Sequence, residues 1–468
     1  MTVGRRRRRR RRRRPELATF LSFLWPGVGQ LYAGRRVLGL LFAVPILLLI
    51  AVGVAAFLAD PQGLAIRMFQ PGVAVAVVLA IVAAGIWRLG AMVHATSAVG
   101  GREAFVGRPI AVLALLAIVV IGSHGALAIV AWSFHDAAER IFVADPFDNV
   151  PPPVAQASQS PAVEAPGETP LTEPPPSAPP VERPPQSNRV NILITGLDSG
   201  PGRSHELTDT LIVVSVDPST RDVAMVSFPR DIASFPLSDG RTYRGKINSL
   251  LTYARQNEGQ FPDAPMSTLA GELGFLLGIR IDHYAAINLE GFQRLIDTVG
   301  GVTVNNERRI YDPTWPVFVN GAWVPFSLDA GVHTLNGEQA LMYVRSRKGA
   351  GDSDFTRAAR QQQILLALRT RLLDPTMLPR LPAILDALAG TITTNYPPDR
   401  LAETIAIGRG VDESKIQRFV LGPPYSWHPP TDQTGGSWEL RLDLDRVAKL
   451  SIELFGADSR YAQLLGTP

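Results

Sequence analysis

The sequence predicts an α/β domain with a mixed central sheet flanked by helices, preceded by an all-α membrane region. Three long apolar runs lie within the first 132 residues, which is typical of membrane-spanning helices. From residue 189 onward, short β-branched runs alternate with amphipathic helical segments, which is typical of an α/β domain. A proline-rich stretch separates the two patterns.

The apolar runs are long enough to cross a lipid bilayer. A transmembrane helix needs about 20 mainly apolar residues. We predict a membrane region over 17–132 with about three transmembrane helices, at roughly 37–59, 72–92 and 109–132. The segment 17–34 is shorter and is interrupted by proline, glycine and glutamine, so we predict a re-entrant or interfacial helix there.

The positive charge of the chain is concentrated in a basic tail, residues 1–16. The net charge is +4, from 46 Lys and Arg against 42 Asp and Glu, but removing the ten arginines of residues 5–14 leaves 36 against 42, a net of −6. Such a run is typical of a nucleic-acid or anionic-lipid patch, or of an anchor at the inner leaflet. Because the rest is acidic, we predict an anchor and no nucleic-acid partner.

The positive-inside rule predicts the orientation. Arg88 lies near the end of the second run, Arg102 and Arg108 lie between the second and third runs, and all three share the side of the basic tail. We therefore expect a multi-pass plasma-membrane protein with a cytoplasmic N-terminus and an extracytoplasmic C-terminal domain.

Beyond the membrane region the chain divides into three parts. Residues 133–188 are predicted to form an extended extracytoplasmic linker, because residues 150–188 are rich in proline and small polar residues. Residues 189–458 are predicted to form one α/β domain, and residues 459–468 a tail. The chain has no cysteine, so disulfides and thiolate chemistry are excluded.

Three strand signals open the domain. Apolar runs at 189–198 and 210–218 predict two strands, and the second forms a hairpin with a third run that ends near Arg230. Neighbouring strands usually pair, and antiparallel pairing places Asp198, at the end of the first strand, beside Asp209, at the start of the second. The sequence therefore predicts these two carboxylates and Arg230 in one cleft mouth.

Helical periodicity alternates with further strand signals. Residues 284–304 are predicted to be strand, helix, Gly-Gly turn and strand. Further helices are predicted near 336–342, about 355–373, 400–409 and 442–455.

Two neighbouring carboxylates without sulfur or clustered histidine favour a hard cation. Asp198 and Asp209 are therefore candidate ligands of Mg²⁺ (or Mn²⁺). The alternative is turn chemistry, because aspartate is common at strand ends, where it forms local hydrogen bonds. The residues alone leave both interpretations open.

The stretch VRSRKGAGDSDFTRAARQQQ holds four arginines around a glycine-rich turn. Residues two apart in an extended segment face the same side, so Arg345 and Arg347 point together. Residues three apart on a helix are neighbours, so Arg357 and Arg360 also share a face. Converging guanidinium groups match the oxygens of a phosphate. The alternative is a solvated face with salt bridges to local acids.

Three more polar residues are candidates. Asp354 could bind a metal or a proton, or cap the helix that begins near Phe355. Lys246 and Asn248 could reach an anionic ligand. No Walker-type loop, Ser-His-Asp arrangement or GxSxG motif is present, and the histidines lack ligand spacing.

Seven motifs in order resemble one family. NILITGLDSG, TDTLIVVSVDP, SFPRD, GKIN, HYAAINLEGFQRLIDTVGGVTV, LNGEQALMYVRSR and DFTRAARQQ occur as in LytR-CpsA-Psr (LCP) proteins, over essentially all of 189–373. The resemblance implies an LCP-type domain and a Mg-dependent phosphotransferase of cell-wall assembly. Such an enzyme moves a glycopolymer, with its proximal phosphate, from a polyprenyl-pyrophosphate carrier to a peptidoglycan hydroxyl. The resemblance also implies an apolar tunnel for the lipid tail, between sheet and helices.

The resemblance also implies residue roles. The family's metal-binding carboxylates match Asp198 and Asp209. Its pyrophosphate-binding and neighbouring polar residues match Arg230, Arg345, Arg347, Arg357, Gln361 and Lys246. We add Arg360 to the expected pyrophosphate-binding residues because it is a helical neighbour of Arg357. Asp209, Asp354 and Arg230 are the expected catalytic residues, with Asp209 or Asp354 as the base.

The sequence departs from the family pattern at two positions. Family members commonly have arginine where this chain has Gly200 and Leu207, and Arg203 could supply one charge from the same loop. Two alternatives to the transferase stay open. One is a polyprenyl-pyrophosphate pyrophosphatase, in which water replaces the sugar hydroxyl; the other, which the missing arginines favour, is a non-catalytic lipid-pyrophosphate-binding regulator of the envelope.

Overall fold

A computed structural model describes residues 13–70, 72–142, 188–198, 207–319, 322–347 and 351–464. The chain divides into two compact units, with the boundary between Ala138 and Glu139. The linker over 143–187, the loop with Gly200 and Arg203, and most of the basic tail lie outside the described residues.

The described part of the first unit is helical. Its helices are α1 Pro15–Leu24, α2 Val28–Tyr32, α3 Arg36–Ala59, α4 Pro61–Arg67, α5 Val73–Gly100 and α6 Arg108–Ile141. Among the described residues, α3, α5 with the turn that follows it, and α6 are long and apolar enough to cross a membrane. Helix α6 runs past residue 132, so residues 133–141 are helical and not linker; they contain no Gly or Pro that would end a helix.

The segment 17–34 forms two short helices held to α5 by buried polar groups. The hydroxyls of Thr19 and Thr96 are 2.6 Å apart. Ser22 Oγ donates to Gln30 Oε1 at 2.9 Å, and Gln30 Nε2 donates to the Ala91 carbonyl at 2.8 Å. Helix α1 has 10 residues, about half of what a span requires.

The second unit contains the sheet and the remaining helices. Its strands are β1 Val190–Asp198, β2 Leu207–Val216, β3 Val223–Ser227, β4 Ala233–Pro236, β5 Thr242–Lys246, β6 His283–Asn288, β7 Val302–Asn306, β8 Ile310–Val319, β9 Ala322–Leu328, β10 Gly331–Leu335, β11 Ile392–Thr394, β12 Ile416–Val420, β13 Ser426–Trp427 and β14 Arg441–Leu442. Its helices are α7 Leu250–Gln256, α8 Pro265–Leu277, α9 Leu289–Thr298, α10 Gly337–Arg345, α11 Asp354–Leu372, α12 Leu381–Ala389, α13 Leu401–Arg409, α14 Leu444–Phe455 and α15 Arg460–Leu464.

The central sheet is mixed, which confirms the predicted α/β class. Its six strands lie in the order β11-β6-β1-β2-β3-β12. Strand β1 pairs antiparallel with β2 and parallel with β6, and β3 pairs antiparallel with β2 and parallel with β12. The predicted hairpin of β2 and β3 is present, so the end of β1, the start of β2 and the segment after β3 share one edge.

Side chains of β1 point alternately to the two faces of the sheet, so both faces carry apolar residues. Helices pack on each of them. Leu193 and Leu197 lie in one core with side chains of α7, α8 and α14. Ile194 faces the other way and packs in a second cluster with Leu365 of α11. Burying one such aliphatic side chain contributes about 1.5–3 kcal/mol to stability.

Residues 459–464, predicted to be tail, belong to the domain. Helix α15 packs on α8, where the Arg460 guanidinium lies 3.8 Å from the centre of the Phe275 ring. Tyr461 Oη donates to the Leu276 carbonyl at 2.9 Å, and Ser459 is fully buried. Aromatic and cation–π contacts hold this segment, although its sequence lacks a long apolar period.

Candidate functional site

Asp209 reaches the site through a β-bulge. Gly196 pairs with Thr210, and Leu197 pairs with Thr208, so Asp209 is the extra residue of β2. Strict alternation from Thr210 would turn Asp209 to the opposite face of the sheet, but a bulge re-aims one side chain. Asp209 and Thr210 consequently line the same cavity.

Arg230 holds Asp209 from the segment after β3. Its Nη1 donates to both carboxylate oxygens of Asp209 at 2.9 Å. Asn248 Nδ2 lies 3.4 Å from Asp209 Oδ1. The structure therefore brings Asp209 and Arg230 together as the strand order predicted, and adds Asn248 to them.

One cavity collects most of the predicted residues. It measures about 60 Å³, and its polar lining includes Asp198, Asp209, Arg345, Arg347, Arg357 and Gln361. Arg345 Nη2 lies 3.7 Å from Asp198 Oδ2. Arg345 is the last residue of α10 rather than part of an extended segment, yet Arg345 and Arg347 both line the cavity, as predicted.

Asp354 lies at the first turn of α11 without capping it. The N-cap is Ser353, which forms a reciprocal capping box with Thr356. Asp354 Oδ1 instead lies 3.2 Å from Arg357 Nη2 and 3.5 Å from Arg347 Nη1. Asp354 thus orients two of the cavity's guanidinium groups.

Asp231 is a site residue that the sequence did not single out. Lys246 Nζ donates to Asp231 Oδ1 at 2.6 Å, and Arg230 Nε lies 3.7 Å from Asp231 Oδ2. Burial alone would raise the pKa of Asp231, but Lys246, Asp354 and Arg230 together hold it below its usual value. Lys246 therefore contacts Asp231 and is not among the cavity-lining residues. The sequence feature that could have indicated Asp231 is its position directly after Arg230.

Arg357 is almost fully buried, with 5% of its surface exposed. Burial lowers the pKa of Arg357 to about 10, opposed by Asp354 and Asp209 and assisted by Arg230 and Arg347. It therefore stays cationic at neutral pH. Arg357 Nε is buried and has no hydrogen-bond partner among the described residues, and Arg357 lines the cavity. Such an orphaned donor fits an anionic ligand. Arg230 Nε lies 3.7 Å from Asp231 Oδ2, and Arg230 is not among the cavity-lining residues.

Arg360 does not line this cavity. Its Nη2 lies 2.9 Å from Asp352 Oδ1 and donates to the Ser346 carbonyl at 3.1 Å, and its guanidinium stacks on Tyr343. Arg357 and Arg360 were predicted to share a face. A spacing of three residues separates them by 60° around the helix. The face of α11 that lines the cavity ends within this angle, so it includes Arg357 but not Arg360.

The donor set suits Mg²⁺ only together with a phosphate ligand. No group of three His, Cys, Asp or Glu side chains in the described part of the chain is arranged to hold a metal ion. Mg²⁺ is commonly bound by one or two carboxylates plus substrate phosphates and water. Asp198 and Asp209, which line one cavity, fit that mode.

An apolar crevice continues from the polar cavity. The two share Gly196, Thr210, Leu289, Val344 and Gln361, and the crevice extends to Ile212, Phe292 and Ile364 between the sheet and the helices α9, α10 and α11. Its volume is about 60 Å³. A cavity of about 150 Å³ holds one benzene ring, so in this conformation the crevice is smaller than the lipid tunnel that the resemblance implies.

Comparison with known proteins identifies the family. The profile of the LytR_cpsA_psr family matches residues 166–458, which include the sheet, the cavity and α11. The chain belongs to the LytR-CpsA-Psr family. The match confirms the resemblance described above.

Relatives within the LytR-CpsA-Psr family carry two kinds of name. The chain is 33% identical over 271 residues to the polyisoprenyl-teichoic acid–peptidoglycan teichoic acid transferase TagU of Oceanobacillus iheyensis, covering 58% of this chain and 77% of that protein. It is 31% identical over 215 residues to biofilm regulatory protein A of Streptococcus mutans, covering 44% of this chain and 49% of that protein. The alignment thus spans about half of the second relative.

Solved structures of similar proteins include B. subtilis TagV. That crystal structure is matched over 57% of this chain and 97% of the TagV chain, with 25% identity and a TM-score of 0.44.

Proposed function

We propose that this chain is a cell-wall transferase that moves a glycopolymer from a polyprenyl-diphosphate carrier to a peptidoglycan hydroxyl. The observation that supports this most is one cavity with two carboxylates and three arginines that opens onto an apolar crevice. A diphosphate with a lipid on one side has that shape and charge. The similar TagU proteins are named as teichoic acid transferases to peptidoglycan.

The arginines bind the diphosphate and stabilise charge during transfer. Arg345, Arg347 and Arg357 line the cavity from two elements, α10 with its following residues and α11. Phosphoryl transfer depends mostly on positioning and electrostatic stabilisation, because the transferring group spreads charge over its oxygens. Guanidinium groups remain charged and offer paired donors for those oxygens.

The reaction exchanges a phosphoanhydride bond of the carrier for a phosphate ester bond to the acceptor. The acceptor hydroxyl oxygen attacks the phosphorus that bears the glycopolymer, and a new P–O bond forms. The bond from that phosphorus to the bridging oxygen breaks, and polyprenyl monophosphate leaves with the electron pair. The acceptor proton passes to a carboxylate.

We favour Asp354 as the group that accepts this proton. Both oxygens of Asp209 accept from Arg230, whereas the ion pairs of Asp354 with Arg347 and Arg357 use only Oδ1. Asp354 also interacts with Asp231, so the proton would enter a pair of neighbouring carboxyl groups.

A divalent cation fits Asp198 and Asp209 once the diphosphate is present. When bound, Mg²⁺ (or Mn²⁺) would neutralise diphosphate oxygens. Arg230 then positions the Asp209 carboxylate, because its Nη1 contacts both carboxylate oxygens at 2.9 Å.

The membrane helices would anchor this domain outside the cell. We propose that α3, α5 and α6 each cross the plasma membrane with the N-terminus cytoplasmic. An odd number of spans then places the catalytic domain on the extracytoplasmic side, where peptidoglycan lies.

The test is a turnover assay with the full chain in detergent and a lipid-linked glycopolymer, with and without peptidoglycan acceptor. Polymer joined to the acceptor, abolished by chelation and restored by Mg²⁺, is the expected result. Release of free glycopolymer phosphate with water as acceptor would favour the pyrophosphatase. Binding without turnover would favour a regulator, as the name of the S. mutans relative suggests.

A further inference from the structure

A second, larger groove runs along the other face of α11. Its narrow part measures about 290 Å³ and its wide part about 730 Å³. The two parts share Asn305, Gln363 and Arg418, so they form one continuous open groove. These volumes are in the range of small-molecule binding sites, which are about 300–1,000 Å³.

Helix α11 separates this groove from the diphosphate cavity. Arg357 and Gln361 line the cavity, whereas Thr356, Arg360 and Gln363 line the groove. The groove-lining positions of α11 extend to Arg371, 15 residues after Thr356. At 1.5 Å per residue this length is about 22 Å, enough for several units of a polymer.

The groove is polar but carries no excess of either charge. Four arginines and four carboxylates line its two parts. Some are paired with each other: Arg371 Nη1 lies 3.3 Å from Asp374 Oδ2, and Arg360 Nη2 lies 2.9 Å from Asp352 Oδ1. Threonine, asparagine and glutamine side chains and the Gly300-Gly301 backbone complete the lining. This mixture suits the hydroxyl and amide groups of a neutral glycan and disfavours a phosphate-rich polymer.

Buried hydrogen-bonding groups in the narrow part lack partners. Arg360 is 7% exposed, and its Nη1 has no hydrogen-bond partner among the described residues. The same holds for Asp352 Oδ2. Both residues line the groove. Burying a donor and an acceptor without partners costs desolvation free energy. A polar ligand that forms hydrogen bonds with both atoms would offset that cost.

We propose that this groove binds the glycan strand of the acceptor, through its sugar hydroxyl and amide groups, rather than the phosphate-bearing polymer of the donor. The inference rests on the proposed transferase function and adds a site for its second substrate. The narrow part ends at Asp352 and Thr356, which flank Asp354 in the chain. A strand along α11 therefore approaches the end of the helix where the diphosphate binds.

The test uses calorimetry on the full chain in detergent, with peptidoglycan glycan fragments of two, four and eight sugars. The variant is Thr370→Trp, which places a large ring at an exposed, groove-lining position of α11. The matched control is Lys449→Trp, at an exposed position of α14, which does not line the groove. Geranylgeranyl diphosphate serves as the donor probe for the cavity.

We expect affinity for the fragments to rise with length in the unaltered chain. Thr370→Trp should weaken binding of the eight-sugar fragment at least tenfold, while Lys449→Trp should not, and both should bind geranylgeranyl diphosphate normally. Equal binding of the eight-sugar fragment by all three proteins would overturn the proposal. So would its displacement by poly(glycerol phosphate) at equal concentration. Length-dependent groove binding without acceptor-dependent turnover would support the groove and count against the transferase.

Discussion

At the scale of single residues, Asp209 shows how one extra residue in a strand creates a functional position. Its bulge turns the carboxylate onto the cavity that Asp198 also lines. Arg230 then holds both of its oxygens at 2.9 Å. The pairing of the two strands could be predicted from their apolar runs, but the bulge could not, because nothing in LTDTLIVV indicates where the register shifts.

Replacing Asp209 by asparagine keeps the shape of the side chain and removes its charge. We expect Asp209→Asn to lower the rate of glycopolymer transfer about 10²- to 10³-fold, the usual effect of losing one electrostatic contact in a polar active site. The measurement is acceptor-dependent turnover, with the circular dichroism spectrum as a check on folding.

The matched control for Asp209 is Asp239→Asn. Asp239 also forms an ion pair with an arginine, at 2.6 Å from Arg241 Nη2, but it is more exposed and lies outside the cavity. Exposed pairs contribute about 0–1 kcal/mol, so this variant should retain full activity. Similar turnover in both variants would remove Asp209 from the mechanism.

Arg357 and Arg360 mark the limit of residue-level prediction. Their spacing of three residues predicts a common face, and the two side chains instead line different sites. The deciding contacts of Arg360 come from Asp352 and Tyr343, whose positions depend on the packing of α10 and of the segment before α11. Asp231 was missed for a related reason, because its partner Lys246 lies on the next hairpin.

At the scale of elements, the close approach of β1 to β2 sets the width of the opening that joins the polar cavity to the apolar crevice. Gly196 lines both, and a Cβ atom there would lie 3.0 Å from Thr210 Cβ and Oγ1. A methyl group at this position would narrow the junction between the two.

We therefore expect Gly196→Ala to weaken binding of a long-chain polyprenyl diphosphate more than binding of a two-unit prenyl diphosphate. The long chain has to pass the junction, whereas the short one has less to place beyond it. Calorimetry with both ligands measures the difference. Gly259→Ala is the control, because a Cβ atom at Gly259 meets nothing within 4 Å. Equal losses for the two ligands would contradict this role of Gly196.

Helix α8 carries a buried carboxyl that makes stability depend on pH. Ser238 donates to Glu272 from its backbone N at 2.7 Å and from Oγ at 2.8 Å. Burial raises the pKa of Glu272 above its ordinary value of 4.5, and the hydrogen bonds from Ser238 oppose that shift. Its stabilising contribution is therefore complete below pH 4.5 and is lost as pH rises through the folded-state pKa.

Replacing Glu272 by glutamine should remove this pH dependence. We expect Glu272→Gln to gain thermal stability relative to the unaltered chain as pH rises from 4.5 to 7. Unfolding midpoints of the full chain in detergent measure the difference. Parallel curves for the two proteins would show that Glu272 does not titrate in this range.

Long periodic elements of the fold could be predicted and short ones could not. The strand, helix, Gly-Gly turn and strand predicted for 284–304 correspond to β6, α9 and β7, with Gly300 and Gly301 at positive φ. Strands β13 and β14 have two residues each, too few to show a period of two. Their pairing depends on tertiary contacts.

At the scale of the whole molecule, the absence of cysteine allows the orientation to be measured directly. We expect Thr431→Cys, at an exposed position of the C-terminal domain, to react with a membrane-impermeant maleimide on intact cells. Thr2→Cys, in the basic tail, should react only after the cells are lysed. The reasons are the positive-inside rule and the three long apolar helices.

Labelling of both cysteines on intact cells would contradict an odd number of membrane crossings. Permeabilised cells, in which both sites should react, serve as the control for accessibility. The composition of the chain could predict the number of long apolar helices, but it could not predict that α6 continues to Ile141.

The narrow crevice between the sheet and α11 has a kinetic consequence. Leu365 and Leu366 of α11 pack with Ile194, Ile212 and Val214 on that face of the sheet. On the proposed function, a lipid entering the crevice would displace contacts of Leu365 with Ile194 and Ile212, so we expect carrier exchange to be governed by transient separation of the helix from the strands and not by diffusion. Warming should therefore accelerate carrier exchange far more steeply than the viscosity of the solvent falls.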